Sequence, residues 1–260
     1  MIIEDQDAGS ALAAPHYGTA FRILLERSRP AGYTPLASGG LMVITGLPHP
    51  LANMAIDPSA DELEPCAKAL GASGCPSMLV FTTHDAAAYE AEVTRFGFSE
   101  PSKTPAMAVD LAELNQTAMP DGYTFHRLMP GQDARPWMRA AEESFQVPYA
   151  VCEILCSFEG ESEGRPDDDV QFFMAICEDE VVAVSALVLA DGVAGMYCVG
   201  TLPDHRGKGL GAHLTAEPLR LARNLGYRVG VLQASKLGYP VYERLGFRTV
   251  ASMRIATRMP

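Results

Sequence analysis

The stretch PDHRGKGLGAHL, Pro203 to Leu214, constrains the fold of this chain more than any other. It sets Arg206 and Lys208 among Gly207, Gly209 and Gly211, then turns apolar. A strand-like run, VAGMYCVG (Val193–Gly200), leads into it. Strand, glycine turn and helix in that order expose the first amides of the helix. Those N–H groups lack helical partners and carry partial positive charge. Glycines beside them let an anion approach the backbone. Taken alone, the stretch fits a flexible turn before a helix equally well.

Three phosphate-binding patterns compete for it. A P-loop needs four residues between its glycines and then Lys-Ser/Thr. Here Lys208 is followed by Gly209, and Gly200 lies too far upstream. A dinucleotide fingerprint needs G-x-G-x-x-G in a βαβ unit, whereas Gly207, Gly209 and Gly211 read G-x-G-x-G. The third pattern, R-x-x-G-x-G, is matched by Arg206, Gly209 and Gly211.

The surrounding elements alternate regularly from Tyr123 onward. YTFHRLM (Tyr123–Met129) has strand periodicity, and Asp133 is placed to cap a helix carrying Trp137, Ala141 and Phe145. QVPY ends it, and a short helix follows with Val151, Leu155 and Phe158 on one face. EGESEGRPDDD (159–169) reads as a solvated acidic loop. VQFFMAICEDE and VVAVSALVLADG form a hairpin turning near Glu178–Glu180, and VAGMYCVG is the next strand after Asp191-Gly192. The spacing then predicts a helix from Gly209 to Leu225 with Leu210, Leu214, Leu221 and Leu225 as its apolar stripe, ended by Gly226. Pro218 falls inside it and is expected to bend it or cost a hydrogen bond. YRVGVLQ is a strand, SKLGYPVYERLGF a short helix ending at Gly246, and RTVASMRIATRM a last strand.

Before residue 120, GLMVITG and SMLVFTT read as strands and HDAAAYEAEVTRFGF as a helix ending in Gly-Phe. That ending echoes GYPVYERLGF, with Val93 near the place of Tyr242. The N-terminal part therefore reads as a partial, diverged repeat of the C-terminal part, without an R-x-x-G-x-G loop. AMPDGY (118–123) is the linker, dividing the chain into residues 1–120 and 121–260.

Composition narrows the partners. The net charge of −12 repels a phosphate backbone and argues against nucleic acid. Apolar residues at 48 % and charged residues at 20 % fit a soluble globular chain. VVAVSALVLA (Val181–Ala190) is too short to cross a bilayer, and MIIEDQDAGS is no signal peptide, so no membrane role and a cytoplasmic location are expected. The six cysteines form no C-x-x-C pair. Cys152 and Cys156 share a helical face without further ligands nearby, so free thiols and no metal are expected.

VGTLPDHRGKGLGAHL, followed by LQASKLGYPVYERLGF, resembles the GNAT superfamily, the Gcn-type N-acetyltransferases. The resemblance covers Tyr123 to about Arg258. It implies an α/β (α+β) fold, a mixed, largely antiparallel central sheet flanked by helices, with a smaller diverged N-terminal α/β domain. It implies acetyl-CoA as co-substrate, direct transfer to a primary amine of a small molecule or peptide, and a monomer or homodimer. The residues that match the pyrophosphate loop are Arg206, Gly207, Lys208, Gly209, Leu210, Gly211 and Ala212. Val199, Gly200 and Thr201 match the splayed strand that pairs with pantetheine, and Ser235 a polar residue touching the cofactor. Ser235 fits the cap of the last helix as well. Tyr242 matches the acid that protonates the departing thiolate. It stands about 100° off the Val241–Leu245 stripe, as a functional side chain would. The general base is not identified: VAGMYCVG and YRVGVLQ contain no carboxylate, leaving Tyr197, Cys198, His205 or water. That gap keeps a non-catalytic acyl-CoA-binding module as the alternative to an enzyme.

Overall fold

The computed structural model describes residues 6–27, 32–82, 90–156 and 164–260. Helices α1 (Gln6–Ala13) and α2 (Pro15–Arg27) open the chain. They lead into β1 (Thr34–Pro35), β2 (Leu41–Ile44), β3 (Asn53–Ile56), α3 (Ala60–Ala72), β4 (Ser77–Phe81), α4 (Glu90–Arg95) and β5 (Ser102–Asp110). The C-terminal half runs β6 (Thr124–Leu128), α5 (Arg135–Phe145), α6 (Tyr149–Leu155), β7 (Val170–Cys177), β8 (Glu180–Ala190) and β9 (Val193–Thr201). It closes with α7 (Leu210–Asn224), β10 (Val229–Gln233), α8 (Tyr239–Leu245) and β11 (Arg248–Arg258). The expected mixed, largely antiparallel sheet flanked by helices is the observed architecture. Phe158 and His84–Tyr89 lie outside the described residues.

The halves repeat one another. Each runs strand, antiparallel strand, helix, parallel strand, helix, strand: β2 to β5 in the first, β8 to β11 in the second. The ends of α4 and α8 match in detail. Gly97 and Gly246 both take positive φ, and Phe98 and Phe247 donate their amides to Val93 O and Tyr242 O. This is the αL helix stop that glycine permits, and it explains the Gly-Phe echo in the sequence.

The boundary near residue 120 does not divide the sheet. Its order is β1-β2-β3-β4-β11-β5-β10-β9-β8-β7-β6. The last strand of each half sits against the other half. β5 lies between β11 and β10, and β11 between β4 and β5, all antiparallel. Ala106 to Val109 of β5 are buried in succession, as a strand covered on both faces requires. One core runs from Phe21 and Leu24 of α2 through Met107 to Leu214 and Phe247. A smaller one under α3 and α4 joins Leu63, Leu70 and Phe98 to Ala256 of β11.

Helices cover both faces of the C-terminal half. Trp137 of α5 meets Phe172, while His213 of α7 meets Phe125, which stacks on Phe173. Phe172 and Phe173 alternate across β7, so α5 and α7 lie on opposite faces. The stripe expected for α7 holds only at its start. Leu210 and Leu214 are buried, but Leu221 and Leu225 are 37 % and 38 % exposed. Over the first turns, linker and β6 residues cover that side, with Thr117 Oγ1 3.2 Å from His213 Nδ1. Further along the side is bare, and Ala216, Leu219 and Ala222 face inward instead. Pro218 has no N–H for the carbonyl of Leu214, four residues earlier. Ser185 of β8 supplies the donor, its Oγ 2.8 Å from Leu214 O. The proline thus fixes how α7 sits on the sheet.

Candidate functional site

β9 and β10 run parallel in register from Val193–Val229 to Met196–Leu232, then part. Two residues on, Cys198 takes φ +50°, and the β8–β9 register slips between Val184 and Ala186. Val199, Gly200 and Thr201 form the far lip of the resulting gap, still paired to β8 at Gly200–Val184 and Thr201–Ala183. Gly200 lets α5 close over this lip. A Cβ there would lie 2.7 Å from both Phe145 Cζ and Ser144 Cβ.

The chain then makes a 3₁₀ turn, Pro203–His205, and enters α7 through Gly207 and Gly209, at φ +75° and +92°. The first hydrogen bond into the helix runs from His213 N–H to Gly209 O. The amides of residues 207–212 have no hydrogen-bond partner among the described residues. A Cβ on Gly207 or Gly211 would meet nothing within 4 Å, so the loop leaves room beside these donors. Such a row at a helix start is an anion cradle.

The two cations of the loop differ in placement. Arg206 turns back, its Nε 3.0 Å from Thr201 O and an Nη 3.3 Å from Ser144 O. It ties the strand lip, α5 and the loop together. Lys208 reaches Tyr123 Oη at 3.0 Å, and Tyr123 Oη in turn lies 3.0 Å from His205 Nδ1. Tyr123 and Ser144 carried no signal in the sequence, because their partners lie more than fifty residues away.

Ser235 accepts the Gly238 amide at 3.1 Å and caps the turn into α8. Its O–H donor is not used in that bond. Tyr242 is buried against Gly238 and Phe247, and burial pushes its phenol up to about 12. It is therefore protonated at neutral pH. Among the three side chains considered as base, Tyr197 is committed to His16, its Oη 2.8 Å from Nδ1 and buried. His205 is engaged by Tyr123, and Cys198 Sγ lies 3.9 Å from Cys156 Sγ. Among the described residues no group of His, Cys, Asp and Glu is arranged to hold a metal ion.

The first half carries the corresponding gap, but closed. β3 and β4 pair in parallel through Ile56–Val80, and the next residue, Asp57, takes φ +50°. Its carboxylate accepts the Thr82 amide at 2.6 Å and the Thr82 hydroxyl at 2.5 Å, latching the strand ends. At the start of α3, Glu62 closes a capping box with Ser59 and sets its carboxylate over the cap. Its carboxylate accepts the Ser59 amide at 3.0 Å and the Ala37 amide at 2.6 Å, and the backbone bond to Ser59 leads in holding it down to about 2. Sequence alone showed only the missing glycine loop.

Residues 134–247 match the family model described as the acetyltransferase (GNAT) family. The chain is 29% identical over 175 residues to a mycothiol acetyltransferase of Streptomyces avermitilis, covering 64% of this chain and 56% of that one. It is 30% identical over 140 residues to the protein of that name from Streptomyces scabiei, covering 52% and 46%. The chain thus spans about half the length of the curated relatives it matches. Among solved structures, a GCN5-related N-acetyltransferase from Kribbella flavida superposes with a TM-score of 0.61 at 23% identity over 95% of both chains. A tandem GNAT protein from the clavulanic acid biosynthesis pathway does so at 0.59 and 12%, over 94% of both. These two likenesses concern the fold.

Proposed function

Taking residues 134–247 as the GNAT acetyltransferase domain that this chain carries, we propose that it transfers an acetyl group from acetyl-CoA to a primary amine by direct attack. The observation that carries this reading is the run of unpartnered amides, 207–212, opening beside the gap between β9 and β10. The cradle fits a pyrophosphate, because its donors are in place and the glycines leave room.

When bound, acetyl-CoA supplies an acyl thioester. Gly207, Lys208, Gly209, Leu210, Gly211 and Ala212 hold its pyrophosphate, and the free edge of Val199–Thr201 holds pantetheine. A backbone N–H on that edge stabilises negative charge on the carbonyl oxygen. Arg206 acts as a positioning residue, since its guanidinium is directed at carbonyls of the lip and α5. Among the described residues the Ser235 O–H, beside the last helix, has no acceptor, and it touches the cofactor. Tyr242 holds its proton at neutral pH and gives it to the departing sulfur. β9 and β10 contain no carboxylate to act as base. The name of the curated relatives makes the un-acetylated mycothiol scaffold the first acceptor to assay.

Gly211 gives a direct test. Its Cβ position is empty and helical, so Gly211→Leu should fold with an unchanged or slightly higher melting temperature. Wild type should gain thermal stability from CoA by mass action, and the variant should not. An equal CoA shift in both proteins would remove the loop from the site.

A further inference from the structure

Two sulfurs join the end of α6 to the bulge of β9. Cys156 Sγ lies 3.9 Å from Cys198 Sγ. Cys156 is buried, at 3 % exposure, while Cys198 is half-buried. The contact with Cys156 lowers the Cys198 thiol, and the same contact with burial pushes Cys156 up. Cys152, one turn earlier, points instead at Val147 O at 3.8 Å, and burial pushes it up to about 12. Two thiols in contact, one on a half-buried strand bulge and the other buried behind it at a helix end, form the arrangement of a peroxide-reacting cysteine and its resolving partner. We propose that Cys156 and Cys198 are an oxidative modification site, which takes a hydroperoxide and closes as a disulfide between α6 and β9.

The step balances without further reagents. The Cys198 thiolate attacks one peroxide oxygen, the O–O bond breaks, and hydroxide leaves from hydrogen peroxide. Cys198 is then a sulfenic acid, oxidised by two electrons. Cys156 loses its proton and attacks Cys198 Sγ; the S–O bond breaks, and water leaves with that proton. The new bond draws the sulfurs from 3.9 Å to about 2.05 Å. It pulls the bulge toward α6 immediately before Val199, the lip of the gap. The effect on CoA rests on the proposed function; the bridge itself does not.

The test uses the full chain treated with hydrogen peroxide and then with dithiothreitol, read by intact mass and peptide mapping. Wild type should lose two hydrogens, with the bridge mapped to Cys156–Cys198, and regain them on reduction. Cys156→Ser should stop at a dimedone-reactive sulfenic acid on Cys198. Cys152→Ser should bridge like wild type. No bridge, or one involving Cys152 or another cysteine, would overturn the proposal. The bridged form should bind CoA about tenfold more weakly, a usual size for coupling between linked sites, and recover on reduction. Unchanged affinity would overturn the link to the gap. Reduced wild type that binds no CoA would sink the proposed function instead, leaving the mass result standing.

Discussion

Tyr242 is the residue on which the chemistry turns. Its ring packs against Phe247 and its phenol, raised to about 12 by burial, keeps its proton across the physiological range. Tyr242→Phe keeps the ring and removes only the hydroxyl. CoA binding should be nearly unchanged, while turnover falls about 10²–10⁴-fold. The defect should shrink as pH drops, because solvent then protonates the thiolate more readily. A purely structural tyrosine would do the reverse, lowering the melting temperature with turnover per folded molecule intact. Steady-state rates and CoA titrations on the one variant separate these outcomes. The motif made Tyr242 and the glycines legible in the sequence. Tyr123, Ser144 and His16 were not, since each acts through a partner brought near only by folding.

At the scale of elements, the starts of α3 and α7 are the informative pair. Each follows a strand with a positive-φ residue near its end, Asp57 just after β3 and Cys198 within β9, and both present helix-start amides. At α7 the donors have no partner among the described residues. At α3 the Glu62 carboxylate already sits on the Ser59 cap amide and the Ala37 amide, and Asp57 latches the strand ends to Thr82. Calorimetric titration of the whole chain with CoA should therefore give one site, and a stoichiometry of two would refute closure of the first half. Glu62 also has a pH signature. Its folded pKa of about 2 lies below the unfolded value, so its stabilisation is present above about pH 4.3 and is lost as pH falls toward 2. Glu62→Gln should lower the melting temperature at neutral pH and flatten its decline across that acid window. An acid limb identical to wild type would show that the carboxylate contributes nothing to holding α3.

For the whole molecule, the exchange of last strands decides what can be cut. Starting the chain at Asp121 removes β4 and β5, and with them both neighbours of β11 and one neighbour of β10. It also removes His16, which holds Tyr197, and Ala13, whose carbonyl accepts from Gln233 at 3.1 Å. Residues 121–260 alone should show no cooperative thermal transition and no CoA-dependent shift. Adding residues 1–120 as a separate chain should restore both if strand exchange is the cause. A sharp melt and a normal CoA shift in the isolated C-terminal segment would mean that its own core suffices.

By itself the sequence determined the local features: the glycine turn into α7, the helix stops at Gly97 and Gly246, the type of most strands, and the likeness of the two halves. These follow from backbone conformations and short periodicities, which a few adjacent residues specify. Strand partners were decided only by the tertiary structure. The buried run of β5 suits any doubly covered strand, and nothing local says that it belongs between β10 and β11. The face of α7 that is buried, the donor that answers Pro218, and the carboxylate that closes the first half likewise depend on residues distant in the chain. Hydrophobic patterning states how much surface must be covered, and only three-dimensional packing selects what covers it.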